Sequence, residues 1–318
     1  MSDLPLSDSL VSGSLAFAQP APGLGRANRL LRYSFLLIAA AAGLLLLSAC
    51  GGGEEEGEGL PEEPPNVVFI LIDDLGARDL GAYGSEFYET PHVDRLAEQG
   101  IRFTQAYAAS GVCSPTRASI MSGLHPARVR ITDWIPGQGN RPERPLLQVD
   151  DRDQLPLEVE TIAERLKDRG YRTAHMGKWH LGGEGYLPED QGFDVNVAGN
   201  QYGSPPGYFY PWKRDDYYLD ELAATGSEGD YLTRRLSREA ATFIRREGPE
   251  DQPFFLYWAP YAVHTPLLAP DSVIARYEAK RDTFAFPDRP EVGSEHGHPM
   301  RLIQGQTTYA ALIEEMDR

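Results

Sequence analysis

Two short segments of the chain carry side chains that could act together on a substrate. The apolar run at residues 67–72 ends in Asp73 and Asp74, a pair of carboxylates of the kind that holds Ca²⁺ or Mg²⁺ through oxygen. The stretch "AASGVCSPTRASIMSG" at residues 108–123 contains Cys113, one of only 2 cysteines in the chain. A thiol can form a disulfide, bind a metal, attack a substrate, pack in a core or be converted chemically, and the surrounding sequence must distinguish these roles.

Three basic side chains have the types needed to bind an anion and to move protons. Lys178 and His180 lie in "HMGKWHLG" at residues 175–182, and His264 precedes a Thr-Pro dipeptide. One ammonium and two imidazoles suit this task. Each also has an ordinary interpretation: Lys178 and His180, two apart, would face the same side of a strand, and His264 would be a turn residue. An isolated aspartate pair at a strand end is likewise often a solvated turn.

The first 50 residues have the composition of an export signal. Arg26, Arg29 and Arg32 precede the apolar run "SFLLIAAAAGLLLLSA", which ends at Cys50. This run is shorter than the ~20 residues that a membrane-spanning helix requires. The tetrapeptide "LSAC" resembles the lipobox of bacterial lipoproteins, and an ordinary N-terminal membrane anchor is the alternative. We therefore predict a lipoprotein signal at residues 1–50 and an exported chain, periplasmic or at the cell surface, held to the membrane by lipid on Cys50.

The segment after Cys50 predicts a linker, and the overall charge limits the partners. Residues 51–65, "GGGEEEGEGLPEEPP", are too polar and too rich in glycine and proline to fold, so we predict a solvated tether. Export would permit disulfides, but lipid on Cys50 would leave Cys113 without a cysteine partner. The 47 acidic and 30 basic residues give a net charge of −17, which argues against a nucleic-acid partner, since binding phosphates requires clustered lysine and arginine.

The remaining chain alternates apolar runs with helical patterns, which indicates an α/β layered fold. Buried strands are predicted at residues 67–72, 171–178 and 253–260, with a weaker one at 101–109. Helices are predicted at residues 90–100, 161–170, 231–246 and 307–318, where Thr90 can cap the first helix and Thr161 begins a capping box in the second. Because ligands gather at the carboxyl ends of strands in open α/β sheets, the aspartate pair lies at a suitable place.

The segment "CSPTR" has the form C-x-P-x-R, and after a strand that ends in paired aspartates it resembles the sulfatases of the alkaline-phosphatase-like superfamily. Further segments resemble that family in the same order: "NVVFILIDDLGARDLGAYG", "ETPHVDRLAEQGIRFTQAYA", "HMGKWHLG" and "PFFLYWAPYAVHTP". The resemblance covers roughly residues 66–318. It implies an α/β layered sandwich with a central, mostly parallel or mixed β-sheet flanked by helices.

This resemblance also implies a fate for Cys113 and a cofactor. In the family a separate maturation enzyme oxidises the cysteine to formylglycine, reading the proline and arginine that follow it. Arg117 would remain in the site. Asp73 and Asp74, with the converted Cys113, would hold Ca²⁺ or Mg²⁺.

The resemblance assigns Lys178, His180 and His264 to sulfate binding and proton transfer, with Lys178 and His264 contacting the substrate. The implied activity is hydrolysis of aryl or carbohydrate sulfate esters. A phosphate or phosphonate monoester hydrolase of the same superfamily is one alternative. A non-catalytic lipoprotein with an unconverted Cys113 is another. The aromatic segment at residues 202–218 is open to two interpretations, a substrate rim or a packed loop.

Several family features have no counterpart in the sequence. The family's second pair of metal ligands, an Asp-Asn on a later strand, is missing, as are its late lysine and its smaller C-terminal domain. The helix predicted at residues 307–318 ends in mid-pattern, with its apolar face awaiting a sheet. We therefore expect residues 66–318 to be an incomplete catalytic domain that by itself binds metal weakly, is inactive and is poorly soluble or partly unfolded.

Overall fold

A four-stranded parallel sheet forms the centre of the protein. The computed structural model describes residues 63–318, apart from residues 138, 140–142, 144 and 146–148. The strands are β1 (Val67–Ile70), β2 (Arg172–Gly177), β3 (Val195–Val197) and β6 (Phe254–Ala259), in the order β1-β6-β2-β3. The predicted signal, Cys50 and the tether up to residue 62 lie outside the described residues. Among the described residues, no helix combines the length and apolarity that crossing a membrane requires.

The interior of the sheet is buried on both faces, as the alternating side chains of β6 show, whereas the predicted buried strand β1 lies at the edge and leaves Val68 and Ile70 44% and 49% exposed. Phe255 and Tyr257 pack into one core, which helices on that side of the sheet complete. Phe254, Leu256 and Trp258 point the other way and pack into a second core. Because a parallel strand with both faces covered needs apolar residues at every position, β6 reads as the continuous apolar run "FFLYWA". This arrangement confirms the layered α/β sandwich expected from the sequence.

Helices and two small hairpins surround the sheet. The helices are α1 (Pro91–Gln99), α2 (Cys113–Ser122), α3 (Pro126–Val129), α4 (Ile162–Lys167), α5 (Asp220–Ala224), α6 (Leu232–Glu247), α7 (Asp271–Thr283) and α8 (Thr307–Asp317). The hairpins are β4 (Lys213–Arg214) with β5 (Tyr217–Tyr218), and β7 (Val292–Glu295) with β8 (His298–Arg301). All four predicted helices are confirmed, and Thr161 forms the predicted capping box of α4. The sequence did not predict α2, α3, α5 and α7.

The strand predicted at residues 101–109 is wrong. This segment is irregular, and its backbone pairs with no strand of the described sheet. Ile101, Phe103 and Tyr107 are 85%, 66% and 89% exposed, so their apolar side chains lack the buried face that would stabilise a strand here. Contacts with the preceding turn hold the segment instead, including a hydrogen bond that the Tyr83 hydroxyl donates to the Phe103 carbonyl at 2.9 Å.

The C-terminal helix α8 is buried on almost every side, which corrects the expectation that its apolar face has no partner. Leu312 and Ile313 are fully buried in a cluster that includes Leu236 of α6 and Tyr277 of α7. The pattern indicates an amphipathic helix, but the acidic positions that would have faced water also lie inside the protein. Helix packing rather than a sheet therefore covers this element.

Two acidic side chains of α8 are buried with arginine partners. Arg234 binds the Glu315 carboxylate through Nε at 2.5 Å and Nη2 at 2.7 Å. Arg276 Nη2 lies 2.5 Å from both oxygens of Glu314. Burial raises the pKa of Glu314, but its bonds to Arg276 and Arg318 lower it, and the net pKa lies below the ordinary value. These carboxylates are therefore structural, since a buried charge is tolerated when a partner neutralises it.

A third acidic residue of α8, Asp317, caps a distant helix. Its two carboxylate oxygens accept hydrogen bonds from the backbone N–H groups of His92 at 3.0 Å and Val93 at 2.8 Å, in the first turn of α1. Thr90, the predicted cap, makes no capping bond and donates its hydroxyl to Asp94 instead. Asp317 thus supplies the acceptors and the negative charge that the N-terminus of α1 needs.

We expect Asp317→Ala to lower the free energy of unfolding by about 1–2 kcal/mol, because two N–H groups of α1 lose their acceptor. Urea denaturation followed by circular dichroism measures this change. The matched control is Asp288→Ala, which alters an exposed loop aspartate and should stay within about 0.5 kcal/mol of the wild type. Equal stabilities of the two variants would contradict the capping role.

Candidate active site

The aspartate pair lies where the sequence predicts it, beyond the carboxyl end of β1. The backbone N–H of Val263, in the loop after β6, donates to the Asp73 carbonyl at 3.3 Å and ties the two strand ends together. Asp74 has a φ of 60°, a left-handed conformation that turns the chain sharply. The Asp73 side chain is 12% exposed and that of Asp74 is 51% exposed, so one carboxylate faces inward and the other faces solvent.

Cys113 is the first residue of α2, a helix that the sequence analysis missed. The preceding Val112 is extended. Pro115 fits the first helical turn because a backbone N–H there would have no intrahelical acceptor, so the N–H that proline lacks is not missed. Gly123 ends the helix with a φ of 68°. The proline within the motif and this terminal glycine could have indicated the helix. Its N-terminus places the Cys113 side chain at the positive end of the helix dipole.

A buried charge cluster connects the aspartate pair to Cys113's helix. The Asp73 carboxylate binds the Lys178 ammonium and, at 3.1 Å, the Arg117 guanidinium. Lys178 is fully buried and the Arg117 side chain is 3% exposed. Burial raises the pKa of Asp73, but the two cations lower it more, and the net pKa lies well below the usual range. The cluster holds two positive charges against one negative charge.

The segment after β2 brings Lys178 into this cluster by leaving the sheet. Gly177 has a φ of 109°, and a Cβ there would lie 2.0 Å from the Ala259 carbonyl, so only glycine fits. The strand ends at this residue, and Lys178 and His180 therefore do not share a strand face, contrary to the expectation. The backbone N–H of Lys178 still bonds to Ala259 at 2.7 Å, and Arg117 Nη1 donates to the Lys178 carbonyl at 2.5 Å.

His180 is held in a neutral form by its surroundings. Its Nε2–H donates to the Ile135 carbonyl at 2.7 Å. Burial and, to a smaller extent, the nearby charge of Lys178 lower the pKa of His180 to about 4. Ser114, which the sequence analysis did not select, links the same elements: its Oγ donates to the His180 carbonyl at 3.1 Å and accepts from the Ile135 N–H at 3.0 Å.

His264 faces the outer aspartate. Its Nδ1 contacts the Thr265 carbonyl at 2.7 Å and must therefore carry a proton. Its Nε2 lies 3.6 Å from an Asp74 carboxylate oxygen and is the nitrogen that can take up or release a proton toward the site. The Tyr208 hydroxyl donates to the His264 carbonyl at 2.7 Å, which fixes the backbone of this turn.

The residues around Cys113 form a group able to hold a metal ion. Ligand atoms of Asp73, Asp74 and Cys113 all lie within 4.8 Å of one another. Two carboxylates suit a hard cation, whereas a thiol is a soft ligand that does not. The donor set becomes uniform in oxygen when Cys113 carries an oxygen-bearing side chain instead of sulfur. Asp73 and Asp74 therefore fit the implied Ca²⁺ or Mg²⁺, whereas the unmodified thiol of Cys113 does not.

A cavity of about 620 Å³ opens beside this cluster. Cys113, His180 and His264 line it, so three of the predicted site residues share one cavity. Different parts of the aromatic segment at residues 202–218 fit its two interpretations, a substrate rim and a packed loop. Tyr202 lines the cavity, but three of the six aromatic side chains that follow are buried in the core, namely Tyr208, Trp212 and Tyr217.

The geometry described above agrees with comparisons to known proteins. A profile of the family described as Sulfatase matches residues 65–318. The N-acetylgalactosamine-6-sulfatase of Canis lupus familiaris is 35% identical over 229 residues, which cover 66% of this chain and 42% of that protein. Arylsulfatase A of Homo sapiens is 36% identical over 234 residues, covering 67% and 44%.

A solved structure supports the same relationship. The candidate sulfatase yidJ of Bacteroides fragilis superposes with a TM-score of 0.56 and 28% identity, over 82% of this chain and 58% of that one. The chain spans less than half the length of the two curated relatives, with 42% and 44% of them covered. The profile match over nearly all the described residues, the identities and the shared fold show that the chain belongs to the sulfatase family.

Proposed function

We propose that the protein is a sulfuric ester hydrolase that cleaves aryl or carbohydrate sulfate esters, using a formylglycine formed from Cys113. The observation that carries this proposal is the pair of buried cations, Lys178 and Arg117, beside the N-terminus of α2. In a chain with a net charge of −17, an anionic substrate needs such local positive charge. The two sulfatases compared above act, by their names, on a sulfated sugar and on aryl sulfates, which supports the substrate class.

The environment of Cys113 argues against a role as a thiolate nucleophile. Burial raises the pKa of this thiol, although Lys178 lowers it in part. A neutral thiol attacks poorly, because the thiolate is the reactive form. A formylglycine at position 113 supplies, as its hydrate, one hydroxyl that attacks sulfur and a second that allows sulfate to leave. The maturation enzyme that carries out this conversion is the partner this proposal requires.

The chain's own residues bind and orient the sulfate group. Lys178 is positioned by its ion pair with Asp73, and Arg117 is positioned by both Asp73 and the Lys178 carbonyl. These fixed positive charges stabilise the developing negative charge without rearrangement during the reaction. Asp73 and Asp74 would hold Ca²⁺ or Mg²⁺, which supplies further positive charge for substrate oxygen. His264 Nε2 is placed to transfer a proton, whereas neutral His180 positions the loop that carries Ile135.

The location of the protein is part of the proposal. The signal at residues 1–50 and the lipobox cysteine Cys50 support export and attachment to a membrane surface, in the periplasm or at the cell exterior. This location would give the enzyme access to sulfated molecules outside the cytoplasm. The acidic tether would keep the catalytic domain in solvent.

Conversion of Cys113 is tested by mass spectrometry of the peptide 108–123 after expression with a formylglycine-generating enzyme. We expect the peptide to be lighter than the unmodified form by about 18 Da, since the thiol is replaced by an aldehyde. The same host without the maturation enzyme is the control and should give an alkylatable thiol. A fully occupied, alkylatable thiol in both hosts would contradict the proposal.

The charge cluster is tested by Lys178→Met in the matured full-length protein. We expect kcat for an aryl sulfate to fall roughly 10²–10³-fold, because a fixed charge next to the transferred group is lost. Lys280→Met is the matched control, since Lys280 also pairs with an acid, Glu89, but lies away from Cys113. Its kcat should be nearly unchanged. Equal kcat values for both variants, or faster wild-type turnover of aryl phosphate than of aryl sulfate, would contradict the proposal.

Lipid attachment is tested by labelling bacteria with radioactive palmitate. We expect the wild-type protein to be labelled and the Cys50→Ala variant not to be, since Cys50 is the acceptor that the lipobox provides. Cys113→Ala serves as the control for the second cysteine and should retain the label. Label that persists in Cys50→Ala would argue against the proposed anchor.

A further inference from the structure

The cavity beside Cys113 has two aromatic walls that come from loops far apart in the sequence. Trp134 and Tyr202 both line it and remain 37% and 38% exposed. Cys113 lines the same cavity, so the rest of a substrate whose sulfate group lies at Cys113 would contact both aromatic rings. Among the described residues that line the cavity there is no lysine, arginine, aspartate or glutamate.

The wall formed by Tyr202 rests on a rigid base. Its ring stacks on Tyr217 with 4.0 Å between centroids and 27° between planes. Tyr217 is 5% exposed, and its hydroxyl bonds to that of Tyr261 at 3.1 Å. A Cβ on Gly203 would lie 2.3 Å from the His180 ring, so this loop packs directly on His180. The position of the Tyr202 ring is therefore fixed relative to the site.

The wall formed by Trp134 is attached to the helix that begins with Cys113. Ile135, the next residue, donates its N–H to Ser114 Oγ at 3.0 Å and accepts from His180 Nε2 at 2.7 Å. The backbone N–H of Trp134 donates to the Asp133 carboxylate at 2.8 Å. Two buried side chains next to the reacting residue thus hold the backbone that carries this aromatic ring.

We propose that Trp134 and Tyr202 form a subsite for the leaving group of the ester, and that this group is a pyranose ring without a carboxylate. The proposal rests on the hydrolase function proposed above and narrows its substrate. The C–H faces of a pyranose pack on aromatic rings, while its hydroxyl edges can reach polar groups such as Gln201 and Ser204 in the same lining.

A carboxylate on the ring would find no lysine or arginine among the described lining residues. The two lining imidazoles already have partners, His180 at the Ile135 carbonyl and His264 at Thr265 and Asp74. Burying a carboxylate there without a partner is costly.

Arg214, a cation near the wall formed by Tyr202, lies outside the described lining of the cavity. It donates to Ser204 Oγ at 3.2 Å and lies over the Tyr217 ring at 6.0 Å. The positive charge of Lys178 is already directed at Asp73 beside Cys113. The chain therefore separates the recognition of charge, at the sulfate group, from the recognition of an uncharged ring.

The test compares three sulfate esters in the matured full-length protein: a hexose monosulfate, the uronic acid counterpart sulfated at the same carbon, and a small acyclic alkyl sulfate. We expect wild-type kcat/KM for the hexose sulfate to exceed that for the uronate sulfate by about ten-fold or more. Trp134→Ala and Tyr202→Ala should each lower kcat/KM for the hexose sulfate by roughly ten-fold, mainly through KM, and leave the acyclic ester within about three-fold.

Conservative and matched variants separate stacking from folding. Trp134→Phe and Tyr202→Phe keep an aromatic face and should retain most of the activity on the hexose sulfate. Tyr218→Ala changes an aromatic residue that is 41% exposed but does not line the cavity, and should leave all three rates unchanged. Unchanged rates in both cavity alanine variants, equal losses on the acyclic ester, or preference for the uronate sulfate would each overturn the subsite. A wild-type protein that hydrolyses an aryl sulfate but not the hexose sulfate would overturn the subsite alone, whereas one that hydrolyses neither would overturn the hydrolase function.

Discussion

The ion pairs of Asp73 with Lys178 and Arg117 are the interaction on which the site depends. Lys178 is fully buried, and a buried charge is stable only when a partner compensates it. The carboxylate follows β1, the ammonium follows β2, and the guanidinium projects from α2, so one small cluster fixes three elements that are distant in sequence. It also brings two positive charges to the start of α2, next to Cys113 and to the carboxylates of Asp73 and Asp74, in a chain whose net charge is strongly negative.

The other buried acidic side chains among the described residues lie in α8, where each has partners, and they do not form a site. Glu315 is matched by Arg234 in a two-pronged pair, and Asp317 is satisfied by two backbone N–H groups of α1. These groups join α8 to the body of the protein and have no unpaired charge to offer a substrate. The contrast shows why charged residues of similar burial have different roles: the charged groups of α8 hold helices together, whereas the cluster near Cys113 adjoins a cavity.

Much of the fold follows from local sequence patterns, whereas the site depends on contacts that local patterns do not contain. A continuous apolar run predicted β6 because both faces of that strand are buried. The similar run of β1 also predicted a strand, although only the face with Val67 and Phe69 is covered, and Val68 and Ile70 are exposed. The segment at residues 101–109 has a similar apolar content but finds no strand partner among the described residues. The role of Ser114 and the position of Trp134 rest on hydrogen bonds between segments far apart in sequence, which periodicity cannot reveal.

The central claim is that the side chain at position 113 attacks the sulfur of a sulfate ester, and Cys113→Ser tests it most directly. A serine hydroxyl in place of the formylglycine hydrate can accept the sulfo group but has no second hydroxyl to release it. With an excess of aryl sulfate, the full-length variant should release no more than one equivalent of the phenol and then stop. The peptide 108–123 should become heavier by about 80 Da, the mass of one sulfo group. Continued turnover by this variant, or phenol release without added mass on the peptide, would contradict the account.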